Sequence, residues 1–519
     1  MRTHSAAWIS QVVGGRVVGD PETAVGPDVV IDTRRTTPGA LFVALPGEHV
    51  DGHDFTAAAA EAGAAAVLAT RTTDTGATQV VVEDGVAALS ALGRAVVEDA
   101  RPGGLKVLAV TGSSGKTSTK DVLAQVLEAH APTVAPVGSF NNEIGVPLTA
   151  CRVDERTRYL VSEMGARGVG HIAWLCSLVQ PDVSIVLNVG SAHLGEFGSV
   201  EGIARAKGEI VEPLAEDGWA VLNLDDHLVS AMSGRTRARL GWFSLDPEAR
   251  LAQISQPRSG LLVAARDLAS DDLGRYGFTL VVEQESGRSE HQVQLALLGR
   301  HQVANAAAAA AAGIVAGVPV ETVVRVLNSL EHRSPWRMEL RERGDGAAVI
   351  NDAYNANPDS MKAALTALAE IGEARRRTHP GARVVAVLGD MLELGDQAAA
   401  LHHDIGAFAA GAGVDEVWAV GEHAQDIVRG AEAGGVVGRV ATVSTAASLD
   451  LAPEDVVLVK ASRGLALDKV AAALLAPHGS PVDRSPSGEA DPVSPVQAED
   501  IALTNSPGSK SPVPPEEAS

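Results

Sequence analysis

The chain has 519 residues, 45% hydrophobic and 21% charged, a composition that suits about three globular domains with ample core. A formal charge of −23 argues against a nucleic-acid binder, yet leaves room for phosphate ligands, because backbone N–H groups at helix N-termini bind anions even in an acidic protein. Two cysteines, Cys151 and Cys176, are too few for a disulfide framework or a four-cysteine zinc site.

The opening stretch, MRTHSAAWISQVVGGRVVGD, lacks the apolar run of a signal peptide, and no segment has the ~20 strongly apolar residues of a membrane span. With two unpaired thiols, this predicts a cytoplasmic protein. Residues 1–104 alternate strand-like runs (VVIDTR, ALFVAL, AAAVLAT, TQVVVED) with Ala-rich helices, and ARPGG at 100–104 reads as a linker. A second segment, 105–330, opens on the strand KVLAVTG and continues through RYLVSEMG, DVSIVLNVG and GWAVLNLDD. Within it, residues of about 245–298 read as a hairpin-rich insertion, followed by the helix NAAAAAAAGIVAGVPV. A third segment, 331–476, begins near SPWRMELRE and alternates again: AAVINDAY, RVVAVLGDM, EVWAVG, DVVLVKAS. Apolar runs this uniform predict parallel sheets covered on both faces, hence an α/β protein of three domains. Residues 477–519 hold nine of the 26 prolines, mixed with Ser, Glu and Asp, and read as a disordered tail.

The first chemical motif is AVTGSSGKTSTKD, Ala109–Asp121. A strand runs into a Gly-rich turn, and Lys-Thr-Ser opens an amphipathic helix, the pattern of a P-loop. Gly112, Ser113, Ser114 and Gly115 would wrap the phosphates, with Lys116 on the outer ones, Thr117 at a Mg²⁺ position and Ser118 in the first turn. The common form has four residues between its glycines, whereas here there are two, and Val110 stands where the longer form has its first Gly. That disfavours GTPases and ordinary kinases.

This shorter loop, with FNNEIGVPLTA (Phe140–Ala150), SEMGARGVGHI (Ser162–Ile172), LNVGSAHLGEFGSVEGIARAKGEI (Leu187–Ile210) and LGRHQVANAAAA, resembles the central ATPase domain of the Mur ligase superfamily. DTRRTTPGALFVALPGEHVDGHDF (Asp32–Phe55) resembles a UDP-binding N-terminal domain of that superfamily. INDAYNANPDSMKAAL (Ile350–Leu365) and VLGDMLELG (Val387–Gly395) resemble the branch that joins D-alanyl-D-alanine to a UDP-N-acetylmuramoyl-tripeptide. The resemblance covers about residues 25–470. It implies a UDP-binding α/β domain at 1–104, a central P-loop domain with a mainly parallel sheet at 105–330, and a Rossmann-like domain at 331–476. It also implies ATP and Mg²⁺ as cofactors and an ADP-forming, monomeric ligase of peptidoglycan synthesis.

The residues suit that chemistry. Amide ligation driven by ATP phosphorylates a carboxylate, and an amine then displaces phosphate; the protein mainly positions the reactants and neutralises charge. Glu163 ends the strand RYLVSE and His193 follows DVSIVLN, so both reach the crevice at the carboxyl ends of parallel strands, near Thr117. Only eight of the 42 basic residues are lysines, and one is Lys207. A neutral lysine amine can add CO₂, and the carbamate would give Mg²⁺ a hard oxygen ligand, which a guanidinium does not readily do. The resemblance places the superfamily's carbamylated lysine here; without it, Lys207 would contact phosphate or pair with Glu209.

The remaining roles come from the resemblance. Asn305 would contact adenine on a helix opened near His301, Asp352 the ribose, and Arg337 the phosphates. Asp32, Thr33 and Arg34 would hold the uridine nucleotide, and Asn141 and Asn142 would face the muramoyl-peptide. Tyr354, Asn355 and Asn357 would lie near D-alanyl-D-alanine, although Asn-Pro could equally cap the next helix, with Asp359 a further cap candidate. Ala461 in KASRG stands where Gly is expected, and LNVG where Thr-Asn is usual. Two other readings are another ligase of the superfamily, either the one adding the third residue or folylpolyglutamate synthase, and a non-catalytic nucleotide-binding subunit.

Overall fold

The structure is a computed structural model that describes residues 1–47, 50–190, 197–246 and 259–476. His193 and the tail 477–519 lie outside the described residues.

Three large sheets organise the described residues, beside a two-stranded one of His4–Ser5 and Ala24–Val25. The first has the order Arg16–Val18, Thr78–Val81, Ala66–Ala69, Leu41–Val43, Val29–Val30, with all neighbours parallel except the first pair. The central sheet has nine strands: Gly287–Leu298, Arg275–Gln284, Ser259–Ser270, Arg239–Ser244, Trp219–Asn223, Val183–Val186, Lys106–Thr111, Tyr159–Glu163 and Thr133–Val134. The third has six, with Ala348–Asp352, Val456–Lys460, Val384–Gly389, Glu416–Val420 and Val437–Ala441 parallel and Glu339–Glu342 antiparallel at one edge.

The segment read as a hairpin-rich insertion is, over its described part 259–298, continuous with the central sheet. Ser259–Ser270 pairs in parallel with Arg239–Ser244, and only the last two strands turn antiparallel. The alternating pattern was that of a half-exposed sheet edge, not of a separate unit.

The helix Arg300–Ala316 covers the central sheet beside the helix Lys116–Glu128. Ala306–Ala312 have no exposed surface, so this helix lacks an amphipathic stripe because it is enclosed on every side. One apolar cluster runs unbroken from Leu41, Leu68 and Leu89 of the first domain to Val107, Leu160 and Leu222 of the central one. At this junction the helix Gly85–Ala100 meets Pro147, and a Cβ on Gly93 would lie 3.0 Å from the Pro147 Cα; glycine permits the approach.

Parallel pairing sets the site. Val110 stands beside Glu163 and Thr111 beside Val186, so the turns after three adjacent strands open at one end of the sheet.

Candidate active site

The P-loop follows Thr111. Gly115 adopts φ +79°, a left-handed conformation, and a Cβ there would lie 2.5 Å from the Asn305 Oδ1, so both backbone and packing demand glycine. Asn188, at the end of the neighbouring strand, holds the loop from the side. Its Oδ1 accepts from the Ser114 N–H at 3.0 Å, its Nδ2 donates to the Ser114 carbonyl at 3.2 Å, and its carbonyl accepts from the Ser113 N–H at 3.1 Å. The Asn of the usual Thr-Asn pair is therefore present, and Leu187 takes the buried position before it. Lys116 Nζ donates to the Gly112 carbonyl at 2.7 Å, folded back over the loop.

Thr117, first-turn residue of the P-loop helix, donates to Glu163 Oε1 at 3.2 Å, and Asn141 Nδ2 donates to the same oxygen at 2.9 Å. Glu163 is buried, and its Oε2 has no hydrogen-bond partner. An unpartnered carboxylate oxygen this deep is costly unless a cation or donor completes it. Ser139 lies 3.0 Å from Thr117.

Lys207, on the helix Val200–Gly208, is buried, and burial, with the charge of Lys116 adding to it, pushes its amine well below the ordinary lysine range. Glu209 does not neutralise it. Both Glu209 oxygens are taken by backbone, from the Gly170 N–H at 2.6 Å and the Ala173 N–H at 3.0 Å, at the start of the helix His171–Val179. Thr117, Glu163 and Lys207 all line one cavity of about 740 Å³ between the central and third domains. Among the described residues no three His, Cys, Asp or Glu form a metal cluster. The oxygen donors that fit Mg²⁺ are instead the Thr117 hydroxyl and the orphaned Glu163 oxygen, with the buried Lys207 amine on the same cavity.

The third domain supplies the far wall. Arg337 Nη2 reaches Thr117 Oγ1 at 3.2 Å and Ser139 Oγ at 3.0 Å, while its guanidinium stacks 3.9 Å from the Tyr354 ring centroid. Asp352 is engaged through both oxygens, by Lys460 Nζ at 2.7 Å and the Met338 N–H at 3.1 Å. Lys460 also donates to the Asn355 carbonyl at 2.8 Å, and the Asn355 side chain accepts from the Ala356 N–H. Asn357 and Ser360 form a reciprocal capping box at the start of the helix Pro358–Thr378, with Pro358 in its first turn. Asn357, not Asp359, is thus the cap. Asp359 instead reaches toward Gly190: a Cβ there would lie 2.1 Å from its Oδ2.

A second cavity, of about 720 Å³, lies between Asp28–Arg35 of the first domain and Val137, Phe140, Leu148 and Arg152 of the central one. Asp32 caps the turn Thr33–Arg35, accepting from the Arg34 N–H at 3.0 Å and pairing with the Arg34 guanidinium at 2.8 Å.

Sequence profiles of the Mur ligase family match in three blocks: the catalytic domain at 28–110, the middle domain at 110–313 and the glutamate ligase domain at 336–463. A UDP-N-acetylmuramoyl-tripeptide–D-alanyl-D-alanine ligase of Mycobacterium tuberculosis is 41% identical, over 91% of this chain and 98% of its own length. The chain belongs to the Mur ligase family. The ligase of the same name from Escherichia coli is 36% identical over 86% of this Mur ligase and 93% of its own length. Among solved structures, MurF from Acinetobacter baumannii superposes with a TM-score of 0.77 at 30% identity, covering 92% of this chain and 99% of that one. MurF from Thermotoga maritima, in complex with ADP, gives 0.68 at 29% identity, covering 86% of this chain and 97% of that one. The three-domain architecture and ATP-dependent amide ligation are those of this family.

In this Mur ligase the cavity gathers Ser113, Ser114, Gly115, Lys116, Thr117, Ser118, Asn141, Asn142, Glu163, Lys207, Asn305, Arg337, Asp352, Tyr354, Asn355 and Asn357. Asp32, Thr33 and Arg34 line the second cavity instead. Some site neighbours were not read from the sequence. Ser139 precedes FNNEIGVP, Asn188 lies in the noted LNVG, and Trp336 and Arg463 lie inside the noted SPWRMELRE and KASRG, where neither was given a role. Asn305 faces the P-loop, accepting from the Thr119 hydroxyl at 3.2 Å and donating to Gln302 at 2.9 Å. The methyl of Ala461 is accommodated opposite Gly389, where an added Cβ would lie 2.7 Å from it.

Proposed function

We propose that this Mur ligase joins D-alanyl-D-alanine to UDP-N-acetylmuramoyl-tripeptide, with ATP converted to ADP and phosphate. Likeness over nearly the full length of ligases bearing that name carries the substrate assignment. What carries the chemistry is a buried Glu163 with one oxygen on Thr117 and the other unpartnered, with Arg337 on the same Thr117 hydroxyl. Lys116 and the loop N–H groups would hold the ATP phosphates, Asn305 would lie toward adenine, and Asp352 toward the ribose. The uridine nucleotide would sit at Asp32, Thr33 and Arg34, sending its peptide toward Asn141 and Asn142. Phosphorylation of the terminal carboxylate gives an acyl phosphate, which the dipeptide amine attacks. Arg337 from the third domain neutralises charge on the transferring phosphoryl group, and the surrounding walls exclude water.

Thr117, Glu163, His193 and Lys207 as a carbamate would hold Mg²⁺, which when bound offsets phosphate charge. Burial of the Lys207 amine, which lowers its pKa, supports carbamylation, since only the unprotonated amine adds CO₂. The same reading makes it a monomer working in the cytoplasm.

The test presents tripeptides ending in diaminopimelate or lysine, with ATP and D-alanyl-D-alanine, and follows phosphate release. Turnover that needs the dipeptide is expected; turnover with a free diamino acid or glutamate instead would identify a different ligase of the family. For Lys207, the expected result is loss of activity in Lys207→Ala, partly restored by short-chain carboxylic acids. No rescue, together with an unmodified lysine by mass, would remove the carbamate.

A further inference from the structure

Three titratable side chains of the central domain have no task in the chemistry above. Arg167 and His171 form part of the active-site cavity wall, and Glu143, which does not line it, ties them together. Arg167 Nη1 donates to Glu143 Oε1 at 3.1 Å, and His171 Nε2 lies 3.6 Å from Glu143 Oε2. His171 Nδ1 accepts from the Arg167 N–H at 3.2 Å, so Nε2 carries the ring proton and faces the carboxylate.

The cluster stands one step along two linked segments from Glu163. Asn141 Nδ2 donates to Glu163 Oε1 at 2.9 Å, and the Asn141 carbonyl accepts from the Gly165 N–H at 2.8 Å. Glu143 comes two residues after Asn141 and Arg167 two after Gly165, so the linked segments end in the ion pair. The Arg167 backbone therefore lies within roughly 7 Å of Gly165, the most that two residues span.

Glu143 does not exhaust the guanidinium. Arg167 keeps 52% of its side chain exposed, and among the described residues only its Nη1 donates through the side chain. Nη2 and Nε remain for a second carboxylate, in the planar geometry that suits one. An ammonium at the same place would meet Arg167 head on and gain nothing from Glu143, which does not line the cavity.

Spacing points to the occupant. The carboxylate to be phosphorylated must lie near Thr117 and Glu163, where the metal donors converge. In a diaminopimelate residue a second carboxylate stands about 7 Å from the first, at the far end of the carbon chain. A lysine residue ends there in a bare ammonium.

We propose that Arg167 is a specificity-determining residue for the donor peptide: its guanidinium binds the side-chain carboxylate of a diaminopimelate third residue, while Glu143 and His171 hold it in place. This rests on the reading of the donor as UDP-N-acetylmuramoyl-tripeptide. The same cation repels the ammonium of a lysine-ending tripeptide, so attraction and repulsion discriminate in one direction.

The experiment measures kcat/KM of the full-length enzyme for nucleotide-tripeptides ending in diaminopimelate or lysine, with saturating ATP and D-alanyl-D-alanine. The unaltered enzyme is expected to prefer the diaminopimelate form by about tenfold or more, the yield of a charge-assisted hydrogen bond. Arg167→Gln should bring the two forms within about twofold, chiefly by raising KM for the diaminopimelate form, with KM for ATP and for the dipeptide unchanged. Arg167→Lys keeps the charge without the fork and should retain part of the preference. Because the guanidinium is half exposed, added salt should shrink the preference of the unaltered enzyme, a response that a merely structural arginine would not give. Should Arg167→Gln fail to fold, the lysine variant and the salt response still decide. Equal use of the two tripeptides by the unaltered enzyme, a lysine preference, or a preference undiminished in the Arg167 variants would overturn the assignment while leaving the ligase reading standing. No turnover of either tripeptide would overturn both.

Discussion

The guanidinium of Arg337 and the hydroxyl of Thr117 lie 3.2 Å apart across the boundary between the third and central domains. Trp336 and Met338, on either side of Arg337, have φ of +59° and +51°. Two left-handed non-glycine residues flanking one side chain cost of order 1–3 kcal/mol each and mark a direction imposed by the surroundings. Arg337→Lys keeps the charge but loses the planar fork and the stack on Tyr354. Turnover is expected to fall roughly 10²–10³-fold, read by coupled ADP release, with the melting temperature nearly unchanged.

Glu163→Gln preserves the shape of the contact with Thr117 while removing the charge. It should reduce turnover by about 10²-fold or more and raise the Mg²⁺ concentration for half-maximal activity. Because an uncompensated buried charge is removed while one oxygen can still accept from Thr117 and Asn141, the folded state is not expected to weaken. A melting temperature that rises while activity falls would be the signature of a site that trades stability for a ligand.

Asn357 has a structural role that its proposed substrate role must be separated from. Asn357→Ala removes the cap of a 21-residue helix and should cost about 1 kcal/mol in urea unfolding. Asn357→Ser is expected to restore most of that stability. If the carboxamide also meets substrate, turnover of the Ser variant stays low at the restored unfolding midpoint.

His301 lines the cavity, and burial lowers its pKa to about 4. Between pH 6.5 and 4 the unfolded chain therefore binds a proton that the folded chain refuses. Stability must fall as pH drops through that window, and the effect vanishes above about pH 7. The ring keeps partial exposure at the cavity wall, so the loss is below the ~3 kcal/mol that full burial would give. His301→Gln should flatten the urea midpoint between pH 7 and pH 5 relative to the unaltered protein.

Cys151 and Cys176 are both free and buried, and burial pushes the Cys151 thiol up to about 12. Neither should react with a thiol-directed disulfide reagent in the folded protein, and both should react within the dead time after guanidinium denaturation.

Much of this was legible in the sequence, because strand periodicity and P-loop chemistry are local. Three α/β segments, the loop Gly112–Gly115 and the strand-end position of Glu163 follow from short windows of residues. The contacts that give those residues meaning do not. Ser139 reaches Thr117, and Asn188 reaches Ser114, through the order of strands in the central sheet, which no local pattern encodes. Residues 259–298 misled because antiparallel edge strands carry the alternation of an independent hairpin while pairing with the same sheet. Asn357 showed the opposite problem: one motif, DAYNANPDS, carries both a helix start and the residues beside the cavity, so its residue types answer to two demands at once.

The scarcity of lysine has a practical consequence. Of eight in the chain, Lys116 and Lys120 lie on the P-loop helix and Lys207 and Lys460 on the cavity wall. Feeding isotopically labelled lysine to cells making this protein would yield a spectrum of eight side-chain signals, three of them, from Lys116, Lys207 and Lys460, in the cleft. Nucleotide binding, metal loading and CO₂ uptake could then be watched separately in solution, on a 519-residue chain, without attaching a foreign probe.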